Sequence, residues 1–205
     1  MPLDHQNLLK ALELIALPGT LLHFRAQKGS IIEVSMPGYP NENLFVDERF
    51  VSEKSDFPKP NFPTKEEMIK HMTKLVGKPY IWGGNYSQGI PEMLDYYPPN
   101  RTLSVLEFNT WTFAGVDCSG LLYEASYGLT PRNTSELISF GEARSLENLQ
   151  PLDLLVWKGH VVIVLDPYHT IESRLGKGVV ITPLADRLSE IERELATDLF
   201  VRRFF

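Results

Sequence analysis

One short segment holds the only cysteine of this 205-residue chain. It runs from Gly115 to Leu122, and apolar residues recur behind Cys118 as far as Ala125 at the spacing of a helix, which Gly128 would end. Cys118 is therefore predicted in the first turn of a helix, where unpaired amides and the helix dipole favour a thiolate. The alternative is a buried and inert thiol, because free cysteine is among the most buried residue types.

A histidine at the start of a predicted strand is the second feature. His160 follows the turn Lys158-Gly159 and opens an apolar run that ends at Leu165, while the preceding run from Leu152 to Trp157 predicts the other strand of a hairpin. A thiol at a helix start and an imidazole at a strand start suggest a nucleophile and its general base. The alternative is a histidine that only satisfies hydrogen bonds within the fold.

Glu172 is the candidate third member of this set. Asp166-Pro167 breaks the chain after the His160 strand, and a third strand is predicted from Tyr168 to Ser173. A loop with an odd number of residues, centred near Asp166, would place Glu172 opposite His160 on the same face. Its carboxylate could then fix the imidazole tautomer and stabilise the imidazolium. An even-numbered loop would turn Glu172 to the other face, as a solvated strand residue.

Five short segments, taken in order, resemble a known family. They are Lys78-Pro79-Tyr80-Ile81-Trp82-Gly83-Gly84, Asp117-Cys118-Ser119-Gly120, Thr130-Pro131-Arg132-Asn133-Thr134-Ser135, Leu149-Gln150-Pro151-Leu152-Asp153-Leu154-Leu155 and Gly159-His160-Val161. In this order they resemble the NlpC-type cell-wall cysteine peptidases, which are papain-like, and the resemblance runs from about Lys65 to the C-terminus. It implies an α+β fold in which a helical layer that carries Cys118 packs on an antiparallel sheet that carries His160 and Glu172.

The resemblance also implies roles for residues around the nucleophile. Tyr80 would point at Cys118, so that its phenol and the Cys118 amide donate to the oxyanion that forms when the thiolate attacks a carbonyl. The alternative for Tyr80 is an ordinary core aromatic residue. Substrate contacts would come from Asp117, which can bind the terminal amine of a free wall peptide, and from Ser119, Arg132 and Thr134. Asn133 with Glu136 predicts a capping box, which is a structural feature alone.

The chain departs from this family in two places. An aromatic-rich insertion from Tyr86 to Ala114 separates Gly84 from Asp117, where relatives cross in a short loop. Because the insertion is tethered beside the nucleophile, it would cap the groove, serve as a docking surface or extend the core. The family commonly has histidine where this chain has Glu172, and a carboxylate there would stabilise an imidazolium more than a neutral group would.

Residues 1–62 are predicted to form an N-terminal region, and residues 63–205 the catalytic domain. The boundary is Phe57-Pro58-Lys59-Pro60-Asn61-Phe62-Pro63, whose three prolines favour extended backbone. Leu8 to Leu17 predicts an amphipathic helix, and short strands are predicted around the turn Gln27-Lys28-Gly29. In relatives an SH3-like barrel often precedes the catalytic domain and walls the substrate site, so the resemblance implies that role here. A plain N-terminal extension is the alternative.

Composition excludes several classes of partner. A net charge of −6 without a run of Lys and Arg gives no electrostatic footprint for nucleic acid. The histidines other than His160 lack metal-ligand spacing, so no metal and no organic cofactor is predicted. No basic segment precedes the apolar stretch from Leu8 to Leu17, which is too short to span a bilayer. We therefore expect no membrane insertion and a cytoplasmic location.

These residues and the resemblance together predict a cysteine endopeptidase. It would cut the bond between the γ-D-glutamyl group and the diamino acid of murein stem peptides, with free murein-derived peptides as its substrates. Two alternatives stay open at this point. One is an acyltransferase on the same catalytic core, in which an amine or a lipid replaces water as the acceptor. The other is a catalytically silent module that binds wall fragments.

Overall fold

The computed structural model describes residues 12–54, 61–195 and 198–205. The chain divides into two units: one is Ala16–Asn61, and the other joins the residues up to Ile15 with Phe62–Phe205. The smaller unit contains strands β1 (His23–Lys28), β2 (Ile31–Ser35) and β3 (Leu44–Asp47), followed by a 3₁₀ turn at Glu48–Phe50. These strands form an antiparallel sheet in the order β1-β2-β3, which within the described residues is an open sheet rather than a closed barrel.

The larger unit contains six helices and eight strands within the residues described. The helices are α1 (Lys65–Lys74), α2 (Met93–Tyr96), α3 (Val105–Trp111), α4 (Cys118–Ala125), α5 (Thr134–Leu137) and α6 (Leu184–Glu194). The strands are β4 (Asn85–Tyr86), β5 (Gly115–Val116), β6 (Glu142–Arg144), β7 (Leu154–Trp157), β8 (His160–Val164), β9 (His169–Arg174), β10 (Gly178–Pro183) and β11 (Phe200–Arg203).

The main sheet is antiparallel throughout. Its six strands are ordered β10-β9-β8-β7-β11-β6, so that β8, which begins at His160, lies beside β9, which carries Glu172. Both β7 and β8 are apolar runs buried on their two faces, as their sequences predict. The predicted hairpin of β7 and β8 turns at Gly159, whose φ of +91° suits a residue without a side chain.

Helix α4 is the central helix of the larger unit. All eight of its residues are buried, and it packs against β8, β9 and α1. Its apolar side chains join those of the sheet in one core that includes Leu121, Leu122, Val161, Ile163 and Ile171. Helices packed on an antiparallel sheet make this an α+β fold, which confirms the fold class predicted from the sequence.

Close backbone contact fixes the start of α4. A Cβ atom on Gly120 would lie 2.0 Å from the carbonyl oxygen of Gly84, so only glycine allows the helix to come this near. The N–H of Asp117 donates to the same oxygen at 2.8 Å. The Trp-Gly-Gly and Asp-Cys-Ser-Gly segments therefore meet at the N-terminus of the helix that carries the cysteine.

The predicted N-terminal helix falls mostly on residues 1–11, which lie outside the described residues. Its described part, residues 12–17, is not helical. Instead, the N–H and C=O of Ile15 bond to the Asn85 side chain at 2.9 and 2.7 Å. The proline-rich boundary predicted at residues 57–63 also lies outside the described residues as far as residue 60. Within the described parts of the chain, no helix combines the length and apolarity needed to cross a bilayer.

Candidate active site

Cys118 is the first residue of α4. The Asp117 side chain caps the helix by accepting the Gly120 N–H at 2.7 Å. Only 5% of Cys118 is exposed, and its Sγ lies 3.9 Å from the carbonyl oxygen of Gly159. The Val161 N–H also bonds to the thiol. The sulfur therefore contacts the backbone on both sides of His160.

The electrostatics of the thiol differ from those that the helix position predicts. Burial raises the pKa of Cys118 to about 12, and the Asp117 carboxylate adds to the rise. The Val161 N–H, the Arg132 guanidinium and the Ser119 N–H oppose it without cancelling it. Loss of hydration therefore outweighs the amides of the helix start, and the resting group is a protonated thiol at neutral pH. A base is required to take its proton.

The structure brings His160 and Glu172 together. The imidazole Nε2 lies 2.6 Å from Glu172 Oε2, and the carboxylate is fully buried. Burial alone would raise the pKa of Glu172, but the hydrogen bonds from His160 and Arg187 outweigh it, and this pKa lies below its usual value. The ionised carboxylate thus accepts from Nε2–H, which leaves Nδ1 as the ring nitrogen open to a proton.

The predicted register of the β8–β9 hairpin is wrong by two residues. Val164 lies opposite Thr170, so the loop is centred on Pro167 instead of Asp166. The Asp166 side chain accepts the backbone N–H groups of Tyr168 and His169, at 2.7 and 2.8 Å. These bonds close the turn one residue later than the sequence pattern predicts. A shift by an even number keeps the imidazole and the carboxylate on one face, where they meet diagonally.

Arg187 is a site residue that sequence reasoning missed. Its Nε and Nη2 donate to the two oxygens of Glu172 at 2.5 and 2.9 Å, and the whole side chain is buried. A signal was present in α6, because Arg187 falls on the same helical stripe as Leu184 and Ile191. A lone cation on an apolar stripe indicates a buried anionic partner, although not which one.

Tyr80 lies close to the thiol. The Val116 N–H donates to the carbonyl of Pro79, the residue before Tyr80, at 3.2 Å. This bond holds Pro79 against β5, the strand that leads into Cys118. Burial raises the pKa of Tyr80 well above its usual value, with further contributions from Cys118 and Asp117. The phenol is therefore a hydrogen-bond donor throughout the neutral range.

Asp117 and Arg132 form a buried ion pair. The two guanidinium Nη atoms donate to Asp117 Oδ1 and Oδ2 at 3.0 and 2.7 Å. Arg132 also bonds to Ser119 Oγ at 2.9 Å and to Asn85 Oδ1 at 3.3 Å, and Asp117 accepts the Gly83 N–H at 3.1 Å. Three of the four predicted substrate-binding residues thus belong to one buried cluster. A substrate ammonium would have to compete with Arg132 for the Asp117 carboxylate.

Thr134, the fourth of these residues, is half-buried at the first position of α5. The capping box predicted just before it is not formed, because the Asn133 side chain makes no cap hydrogen bond. Glu136 Oε2 is one of the buried side-chain atoms that lack a partner within the described residues.

The insertion leaves the fold and returns to it at one place. Strands β4 and β5 pair, with Asn85 opposite Val116, so the two ends of the insertion lie side by side. Val116 is two residues before Cys118. Inside it, the Ile90 N–H donates to the Thr112 carbonyl at 2.6 Å and closes a narrow neck. Helices α2 and α3 lie beyond this neck. Val105 and Leu106 of α3 are 79% and 60% exposed.

Among the residues described, no three His, Cys, Asp or Glu side chains are placed to hold a metal ion together.

No family model and no curated protein sequence matches the chain, whereas solved structures do. The P60 domain of an antigen from M. avium subspecies paratuberculosis is similar at 23% identity and a TM-score of 0.48, over 68% of this chain and 93% of that one. RipB, a peptidoglycan hydrolase from Mycobacterium tuberculosis, is similar at 25% identity and a TM-score of 0.49, over 69% of this chain and 64% of that one.

RipD from Mycobacterium tuberculosis is similar at 20% identity and a TM-score of 0.48, over 69% of this chain and 97% of that one. It is described as a non-catalytic NlpC/p60 domain protein adapted to peptidoglycan binding. These neighbours include NlpC/P60 proteins, the family that the sequence segments resemble.

Proposed function

We propose that this chain is a cysteine peptidase that hydrolyses the bond between the γ-D-glutamyl group and the diamino acid of free murein-derived peptides. The observation that supports it most is the 2.6 Å contact of His160 Nε2 with the buried Glu172, together with a helix-start thiol that contacts the backbone on both sides of His160. This geometry supports roles for Cys118 as the nucleophile, His160 as the base and Glu172 as the group that orients the base.

The first step is a proton transfer. Because burial keeps the Cys118 thiol protonated, its proton passes from Sγ to His160 Nδ1, the ring nitrogen that Glu172 leaves open. The S–H bond breaks, the N–H bond forms, and the thiolate attacks the amide carbonyl. Glu172 stabilises the imidazolium that results.

The remaining steps use the same groups. The Cys118 N–H, which the hydrogen bonds of α4 leave unused, and the Tyr80 phenol donate to the carbonyl oxygen and stabilise the negative charge that develops on it. The imidazolium then gives its proton to the departing amine as the tetrahedral intermediate collapses to a thioester. His160 removes a proton from water, and the hydroxide attacks the thioester. The C–S bond breaks to release the acid, and the imidazolium returns its proton to Sγ.

Mass spectrometry of defined peptides tests this proposal. The protein is incubated with L-Ala-γ-D-Glu-diamino acid tripeptides and tetrapeptides, with the Cys118→Ala protein as the matched control. We expect release of L-Ala-D-Glu with wild type and none with the variant. Hydrolysis by both proteins would overturn the mechanism, and cleavage at a different bond would overturn the proposed substrate.

A second candidate function is supported by the thiol itself. A 5% exposed cysteine whose pKa is raised to about 12 is also what a silent module that binds wall fragments would contain. The two functions differ in thiol reactivity. If His160 acts as a base, alkylation of Cys118 by iodoacetamide should slow markedly in His160→Ala, whereas a silent module should show the same slow rate in both proteins.

A further inference from the structure

Arg187 contacts the carboxylate that holds His160. Two charge-assisted hydrogen bonds, of 2.5 and 2.9 Å, join its Nε and Nη2 to Oε1 and Oε2 of Glu172. The imidazole bonds to Oε2 as well, so one oxygen is shared between His160 and Arg187. Only 4% of Arg187 is exposed. A two-point contact of this kind fixes the plane of the carboxylate as well as its position.

A second route leads from Arg187 to the imidazole. The guanidinium carbon lies 5.9 Å from the centre of the Trp157 ring, and that ring packs against the His160 ring at 5.1 Å between centres. Arg187 therefore supports His160 through hydrogen bonds on one path and through aromatic packing on the other.

The surrounding charges come from several elements. The charged groups are Glu172 and Arg174 of β9, Lys177 of the following turn, and Arg187 and Glu190 of α6, and the neutral but titratable thiol of Cys118 lies on α4. Arg174 and Arg187 both bond to Glu190, at 3.0 and 3.1 Å, but Glu172 takes its guanidinium contacts from Arg187. Arg187 is thus the cation that balances the carboxylate at the imidazole.

We propose that Arg187 is a positioning residue of the peptidase site: it neutralises Glu172, so that the carboxylate orients His160 without trapping it as an imidazolium. This inference rests on the proposed function for its catalytic meaning. A buried carboxylate without a cation would attract a proton to the adjacent ring strongly, and a ring that already holds two protons cannot act as a base. With Arg187 in place, the pair offers the imidazole a fixed acceptor with no net charge.

Opposite shifts in two variants test this balance. Removing the cation in Arg187→Met should move the acidic limb of the pH–rate profile up by about one pH unit, because the unbalanced carboxylate holds the imidazolium to higher pH. Glu172→Gln should move the limb down by a similar amount, because Arg187 is then unbalanced. The double variant should return the limb toward that of wild type. A residue that only supports folding would lower the rate at every pH and move neither limb.

Two further variants serve as controls. Arg187→Lys keeps the positive charge and should restore most of the wild-type profile at a lower rate, since it gives up the two-point contact. Arg174→Met removes a guanidinium that bonds to Glu190 instead of Glu172, and it should leave the profile in place. If Arg187→Met does not fold, Glu172→Gln is compared with the double variant, which removes the same cation without stranding a carboxylate.

An NMR titration separates this inference from the proposed function. In the Cys118→Ala protein, which needs no activity, the midpoint for the His160 ring should rise with Arg187→Met and fall with Glu172→Gln. These shifts without hydrolysis of any murein peptide would support the role of Arg187 and reject the peptidase. A midpoint that stays in place in Arg187→Met, or moves down, would overturn the inference even in an active enzyme.

Discussion

At the scale of single residues, the partners of buried side chains separate those that react from those that only hold the site together. Cys118 and Asp117 are neighbours, yet the thiol carries a raised pKa and bonds weakly to backbone, whereas the carboxylate is held by a two-point contact with Arg132. A buried group without a strong partner is the one with free energy to gain from a new bond. That contrast separates the nucleophile from the scaffold beside it.

Replacement of the nucleophile or the base should abolish hydrolysis. We expect Cys118→Ala and His160→Ala each to lower the rate by a factor on the order of 10³ or more, because the two groups act as one unit. The double variant should be little slower than either single variant. Steady-state rates on a defined tripeptide check this, and losses that multiply in the double variant would show that the two residues act independently.

Asp117 offers a test of structural against substrate-binding roles. Asp117→Asn removes the carboxylate from the buried Arg132, and we expect a loss of about 3–5 kcal/mol in the free energy of unfolding. Because Arg132 already bonds to both oxygens of the Asp117 carboxylate, activity should fall equally on free and N-acetylated peptides. Selective loss on free peptides would show instead that Asp117 reads the terminal ammonium. Glu142→Gln, which breaks an exposed pair with Arg144, is the control and should cost less than about 1 kcal/mol.

At the scale of elements, α4 carries a buried acid, Glu124, in its last turn, in addition to Asp117 at its N-cap. Glu124 accepts the Ser87 N–H and hydroxyl, both at 2.8 Å, and so ties the first residues of the insertion to the helix. Burial raises the pKa of Glu124 even though Ser87 and Lys78 oppose the shift. The folded protein therefore holds a proton on this carboxyl to higher pH than the unfolded chain does.

This shift predicts how stability depends on pH. The stabilising effect of protonating Glu124 is fully present below the unfolded value of 4.5 and is lost as pH rises through the higher folded value. As pH rises from about 4.5, the free energy of unfolding of wild type should thus fall relative to that of Glu124→Gln. Urea unfolding across this range measures the difference, with the exposed Glu66→Gln as the control. A difference that grows in favour of wild type as pH rises would contradict the assignment.

Several elements of the site could be predicted from the sequence because local pattern determines them. The helix that begins at Cys118 follows from its apolar spacing and from Gly128 at its end, and the strand that begins at His160 follows from the turn before it. The register of β9 could not be fixed, since it depends on how the Asp166 side chain closes the loop. Arg187 could not be assigned to Glu172 either, because α6 reaches β9 through tertiary packing that no local pattern encodes.

At the scale of the whole molecule, the insertion is where this chain departs most from a simple helix-on-sheet design. Its neck is narrow and well bonded, and its base contributes Phe113 to a small core with Ile15. Beyond the neck, α2 and α3 present apolar and aromatic side chains to solvent, among them Tyr96, Leu106 and Phe108. Exposed apolar surface of this kind marks a site of binding or interaction. Because the insertion rejoins the fold two residues before Cys118, its base lies beside that residue.

The geometry of the neck makes a sharp test of the insertion possible. The Ile90 N–H bonds to the Thr112 carbonyl, so residues 91–111 can be replaced by an Asn-Gly turn that joins two already adjacent backbone segments. This keeps the Ser87–Glu124 hydrogen bonds and the β4–β5 pair intact.

If α2 and α3 restrict the size of the substrate, the trimmed protein should cut free tripeptides at a rate within a few-fold of wild type. It should cut insoluble murein sacculi at least about tenfold faster, a change of about 1.4 kcal/mol in the barrier. Release of soluble peptides from sacculi measures the second rate, and Cys118→Ala in the trimmed chain controls for contaminating hydrolases. An unchanged ratio of the two rates would assign the insertion a role other than capping, while leaving Cys118 and His160 in theirs.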